Sequence, residues 1–124
     1  MGQDIGEQAI SFLRCLEAHD FAGCRAMCTG GATVWQNDGR GARTIDATLQ
    51  RFEAFAADVD TLRYDVIRQF RNTNEVLQQQ VLHLSAADGS ESRVHAAVCF
   101  RFEDDGLIDR IEEYVYEVPK AKTP

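Results

Sequence analysis

The chain of 124 residues has no apolar run approaching the roughly 18 residues of a membrane span, and no start of the signal-peptide kind. No membrane partner is therefore expected, and the cytoplasm is the expected compartment. Positive charge is scarce. Thirteen Lys and Arg stand against 20 Asp and Glu, a net charge of −7, and a surface of that sign repels phosphate. Nucleic acid is accordingly not an expected partner. No Cys-x-x-Cys pair occurs among Cys15, Cys24, Cys28 and Cys99. Cys24 and Cys28 stand one helical turn apart with His19 nearby, but with Cys15 they follow helical apolar patterns, so core thiols are expected rather than a metal site. Neither a phosphate-binding glycine loop nor a dinucleotide fingerprint is found, so no cofactor is expected. Repeats, low-complexity stretches and linkers are missing too. With 44% apolar and 27% charged residues, the chain reads as one folded domain over residues 1–124, with a frayed tail at 119–124.

Two periodicities divide the chain. Asp4 with Glu7 three residues on reads as a capping box, and Ile5, Ala9, Phe12 and Leu16 then recur at helical spacing. A second short helix begins at Asp20 and is expected to stop at Gly30 and Gly31. Residues 32–37 read as a strand and 39–43 as a mobile loop at the lip of a pocket. Thr44 caps a third helix with the inner stripe Ile45, Leu49, Phe52 and Ala56. After Val59 the period falls to two, and four strands follow as a meander, with Asp88-Gly89 as a hairpin signal. The expected fold class is α+β: a curved antiparallel sheet wrapped on three helices from the N-terminal half, a cone with a central pocket.

Two-residue turns at 73–74, 88–89 and 104–105 would align three rows across the sheet: Val66–Val81–Ala96–Glu113, Tyr64–His83–Val94–Val115 and Arg68–Gln79–Val98–Ile111. The inward polar set is then Tyr64, Arg68, Gln79, His83 and Glu113. Glu113 lies between Ile111 and Val115 and opposite the small Ala96, so its carboxyl should be desolvated and its pKa raised. The competing readings are that the last strand faces the other way, or that Glu113 pairs with Arg68. His83 would sit about 10 Å away by strand spacing, close enough for a ligand to bridge the two; alternatively it is a core histidine bonded to Tyr64. Arg68 and Gln79 would orient a ligand oxygen, or else be solvated at the sheet edge.

Three segments carry a family resemblance: Ala32-Thr-Val-Trp-Gln-Asn-Asp-Gly, Thr44-Ile-Asp-Ala-Thr-Leu, and Phe100-Arg-Phe-Glu-Asp-Asp-Gly-Leu-Ile-Asp-Arg-Ile-Glu-Glu-Tyr. Together they resemble the SnoaL-like branch of the nuclear transport factor 2-like superfamily. The resemblance implies an acid/base pocket without a cofactor, on a fold that also serves non-catalytic modules. The pocket Tyr and Asn of limonene epoxide hydrolases correspond to Trp35 and Asn37, and their Asp-Arg-Asp set to Val81, Gln79 and Glu113, so one carboxylate of that set is kept. The ketosteroid isomerase positions read Gln36, Phe12 and Val98, which lack a base and proton donors. The pocket acid of SnoaL-type polyketide cyclases is compatible with Glu113.

Two functions compete at this point. The first is an acid/base enzyme acting on a small apolar oxygenated molecule, with Glu113 and His83 catalytic, Asn37, Gln79 and Arg68 placing ligand oxygens, and Trp35, Phe12 and Tyr64 as walls. The second is a non-catalytic binding or association module. A homodimer is expected through the outer sheet face, where Ile67, Leu82, Leu84, Ala97, Cys99, Tyr114 and Tyr116 would be apolar and Arg63, Arg101 and Glu112 would form a rim.

Overall fold

A computed structural model describes residues 4–118; the tail expected at 119–124 lies outside the described residues. Helix α1 (Ile5–Glu17) starts where the Asp4 carboxylate accepts from the Gly6 and Glu7 N–H groups, and it buries Ala9, Phe12, Leu13 and Leu16. Asp20 caps α2 (Phe21–Ala26) through the Gly23 N–H, and Thr44 caps α3 (Ile45–Ala56) through the Ala47 N–H. The strands are β1 (Cys28–Gln36), β2 (Ala42–Thr44), β3 (Thr61–Arg71), β4 (Glu75–Ser85), β5 (Glu91–Phe102) and β6 (Ile108–Val118). They form one sheet in the order β2-β1-β6-β5-β4-β3, antiparallel except that β1 runs parallel to β6. The architecture is the expected α+β cone.

Two boundaries differ from the sequence reading. Gly30 and Gly31 do not end α2; they lie inside β1, which already begins at Cys28. Residues 42–44 are a strand, not a loop. Their hairpin with β1 is drawn tight by an Arg43–Asp38 ion pair at 2.6 Å, with Gly39 and Gly41 in the left-handed region.

The register differs in a way that matters for function. Residues 86–90 close the β4–β5 hairpin: the Ala86 N–H donates to Ser90 O, and Gly89, at φ 83°, lets its own N–H reach back to Ala86 O. This is a three-residue loop rather than a two-residue turn. The pairing slips by one residue, and Gln80, not Val81, faces Ala96. A bulge between Val66 and Arg68 then reverses the facing of β3 halfway along its length. The three expected rows are replaced by Val66–Gln80–Ala96–Val115, Tyr64–Leu82–Val94–Glu117 and Gln69–Gln78–Val98–Glu113.

The core fills the space between α1, α3 and the concave face. Phe100, 1% exposed, meets Phe12 of α1 edge to face at 6.0 Å. Phe100→Ala should remove this contact and leave a cavity, at a cost of about 3–5 kcal/mol. That is a large share of the roughly 5–15 kcal/mol that holds such a domain folded. The urea midpoint measures it, and a change under 1 kcal/mol would contradict the packing described.

Candidate functional site

The concave face and the helices enclose a cavity of about 360 Å³. Its floor is Val34 and Gln36 of β1, Gln80 and Leu82 of β4, Val94 and Ala96 of β5, and Ile111, Glu113 and Val115 of β6. Phe12 and Leu16 of α1 and Tyr64 of β3 close one side, and α3 supplies the other through Ile45, Thr48, Leu49, Arg51, Phe52 and Phe55. Most of this wall is hydrocarbon, the usual character of a small-molecule pocket.

Glu113 reaches the cavity because β6 alternates: Ile111, Glu113 and Val115 point in while Tyr114 and Tyr116 are exposed on the other face. Parallel pairing of β1 with β6 sets Gln36 beside it, and Gln36 Nε2 donates to Glu113 Oε1 at 2.5 Å. The second oxygen has no protein partner among the described residues. Glu113 keeps some accessible surface where it borders the cavity, but bulk water is remote enough for desolvation to dominate. Burial therefore holds this carboxyl above the ordinary carboxylate range, with the Gln36 hydrogen bond opposing in part. Among the described residues no cation is paired with it: Arg68 lies on the opposite face of the sheet, so the competing Arg68 pairing is not made.

Tyr64 is buried and stays a phenol. Desolvation pushes its pKa well up, and the charges of Glu113 and Glu17 push the same way. Its backbone is clamped by the last turn of α1: the Tyr64 N–H donates to Glu17 Oε2 at 2.6 Å, and Arg14 Nη1 donates to the Tyr64 carbonyl at 3.0 Å. Those contacts satisfy an edge strand that would otherwise leave both groups to water.

The expected site residues divide into two groups. Glu113, Tyr64 and Phe12 line the cavity. His83, Gln79, Arg68, Trp35 and Asn37 do not. The one-residue slip of β4 turns His83 and Gln79 outward, where His83 Nε2 meets Asp65 Oδ2 at 2.9 Å rather than Tyr64. The β3 bulge turns Arg68 outward with Gln79, its register partner. Trp35 pairs with Glu112 and packs edge to face on Tyr114 at 5.0 Å, outside the cone. Asn37 sits beyond the end of β1 and binds the Val115 backbone, accepting from its N–H at 3.0 Å and donating to its carbonyl at 3.2 Å. Residues 39–43 contribute nothing to the cavity wall, so they are not its lip.

In place of the outward-facing residues stand Gln36 and Gln80, which the sequence reading did not select. Strand parity carried a signal for Gln80: Val76, Leu82 and Leu84 share its phase in β4 and are all buried. Gln36 shares the phase of Ala32 and Val34.

The thiols stand apart from this chemistry. Burial pushes the Cys24 thiol up to about 12 and the Cys28 thiol up to about 11, so neither is a ready thiolate. Among the described residues no three His, Cys, Asp or Glu side chains are grouped to hold a metal ion, and no helix is long and apolar enough to cross a membrane.

Comparison with known proteins places the fold. Residues 9–111 match the SnoaL-like domain. No curated protein matches by sequence. Among solved structures, RV0760c from Mycobacterium tuberculosis in complex with estradiol-17β-hemisuccinate superposes with a TM-score of 0.72 at 23% identity, covering 85% of this chain and 88% of that one. An epoxide hydrolase of the LEH-like type from the same organism superposes at 0.71 with 18% identity, over 87% of this chain and 79% of the other. SalBIII, an epoxide hydrolase/cyclase-like enzyme of pyran ring formation in the polyether salinomycin, superposes at 0.77 with 14% identity and 90% coverage of both chains. At these identities the likeness is one of fold.

Proposed function

Because the chain belongs to the SnoaL-like domain family, we propose that it is a cofactor-independent acid/base enzyme acting on a small, mostly apolar, oxygenated molecule held in the cavity. One observation carries this reading: a single carboxyl, desolvated and held by Gln36, turns its free oxygen into an apolar chamber. Gln36 occupies Oε1, so Oε2 is the atom that takes or gives the proton. A raised pKa brings that proton transfer toward neutral pH, where general acid/base catalysis is most effective. Tyr64, kept protonated, is a second donor on the wall. Isomerisation, ring closure, dehydration and hydrolysis all fit this arrangement, and the superposing epoxide hydrolase and SalBIII support a reaction of that range.

A non-catalytic binding module is the second reading. It is favoured by Glu113 being the only carboxyl among the described residues of the cavity wall, and the steroid ester bound to RV0760c supports a ligand of similar character. Native mass spectrometry of the purified protein should show a retained small molecule, and turnover of that molecule or its precursor by the parent separates the two readings. We further propose a cytoplasmic protein, since all four cysteines are free thiols, and a homodimer through the outer sheet face.

A further inference from the structure

Three glutamines behind the cavity form a chain that ends in it. Gln69 Nε2 donates to the Gly6 carbonyl at 2.9 Å and to Gln78 Oε1 at 2.8 Å. Gln78 Nε2 donates in turn to Gln80 Oε1 at 2.7 Å. Gln78 is fully buried and Gln80 is 3% exposed. A backbone carbonyl can only accept, so Gly6 fixes which end of the Gln69 amide faces it, and each amide then fixes the next. Reversing any one of them would set two oxygens or two NH2 groups against each other. The approach of Gln69 to α1 depends on position 6 being glycine: a Cβ there would lie 2.8 Å from Gln69 Oε1. With its oxygen taken by Gln78, Gln80 has only its NH2 group left. That group has no acceptor among the described residues. Among the described residues no buried polar side-chain atom lacks a partner, so this group keeps accessible surface, and Gln80 is part of the cavity wall.

We propose that Gln80 binds an acceptor oxygen of the ligand, a carbonyl above all, and that Gln69 and Gln78 are positioning residues that hold its NH2 group toward the cavity. Gln80 and Glu113 are separated by two strands and two residues, about 12 Å between backbones along the sheet, with Ala96 as the small floor residue beside Gln80. A ligand anchored by its carbonyl at Gln80 thus extends toward the free oxygen of Glu113. The ligand class is a compact apolar skeleton whose oxygen accepts hydrogen bonds. The inference rests on the cavity being a ligand site, and not on Glu113 being catalytic.

The test compares 1-tetralone with tetralin, which share a skeleton and differ by one carbonyl. Both are titrated at pH 8 against the parent, Gln80→Met, Gln69→Met and Glu113→Gln, each first checked for a cooperative melting transition. In Gln80→Met the ketone-to-hydrocarbon affinity ratio should fall about five- to tenfold, the worth of one hydrogen bond, with tetralin affinity kept. Gln69→Met lines no part of the cavity and should lower the ratio in the same direction by a smaller factor, which a merely structural residue would not do. An unchanged ratio in Gln80→Met overturns the proposal, as does a ratio lost only in Glu113→Gln. An unchanged ratio in Gln69→Met overturns the positioning role of the chain. If neither compound binds the parent, the cavity is not a ligand site for this class, and this inference falls with that reading.

Discussion

Glu113→Gln should abolish acid/base turnover and at the same time make the protein more stable than its parent at pH 8. The loss of rate expected from removing a positioned proton-transfer group is about 10²–10⁴-fold. The stability effect follows from linkage. Burial raises the folded-state pKa of Glu113, so the native state binds a proton more readily than the unfolded chain does. Below the unfolded value of about 4.3 the group is protonated in both states and costs nothing through ionisation. The penalty grows as pH rises above that value and is complete past the folded pKa. A glutamine carries no such penalty and can still accept from Gln36. The melting temperature of the variant minus that of the parent should therefore be larger at pH 8 than at pH 5. A difference that shrinks over the same interval would make Glu113 a stabilising charge, and the proton-transfer role would fall with it.

Ile67→Asp should convert a dimer into a monomer. The bulge in β3 places Ile67 on the outer face at 55% exposure, beside Tyr114 and Tyr116 at 60% and 65%. Ala97 and Val81 border the same shallow groove, and Phe70 and Leu77 are exposed at 61% and 45%. So much apolar surface on one side of a small acidic protein calls for a partner, and the proposed occupant is a second copy of the same face. Leu82 and Leu84, expected on this face from the sequence, are buried inside the cone and play no part in it. An interface of ordinary size covers about 800 Å² per partner, and a carboxylate at its centre would have to be desolvated. Light scattering at micromolar concentration should give twice 13.9 kDa for the parent and 13.9 kDa for the variant. A parent that is already monomeric rejects the interface.

The difference between what could be read from the residues and what could not lies in strand parity. In β5, Val94, Ala96, Val98, Phe100 and Phe102 alternate with Arg93, His95 and Arg101, so only one facing is physically reasonable. β6 is nearly as clear, because two half-polar tyrosines tolerate solvent and Ile111 and Val115 do not, and Glu113 followed from them. β4 has apolar residues in both phases and three glutamines at its centre, a side chain with no facing preference. Val76, Leu82 and Leu84 outweigh Leu77 and Val81 only slightly, so the expected phase followed one hairpin instead, and Asp88-Gly89 suits a two-residue turn as well as the three-residue loop that forms. One residue of slip exchanged Gln79 and His83 for Gln78 and Gln80. The β3 bulge falls at Val66-Ile67, two apolar residues in succession, a pattern that does not mark an extra residue. The parallel pairing of β1 with β6 left no local signal at all, since it joins segments distant in sequence.

That distance has a bearing on biosynthesis. Gln36 and Glu113 are 77 positions apart and become neighbours only when the last strand docks beside the first. Contacts of such long range are closed late and slowly. On the ribosome the helices and the β3–β5 hairpins can be complete while the chamber still lacks its carboxyl and one of its walls. A nascent or prematurely terminated chain therefore offers an open apolar half-shell that lacks the Glu113 carboxyl and its Gln36 hydrogen bond.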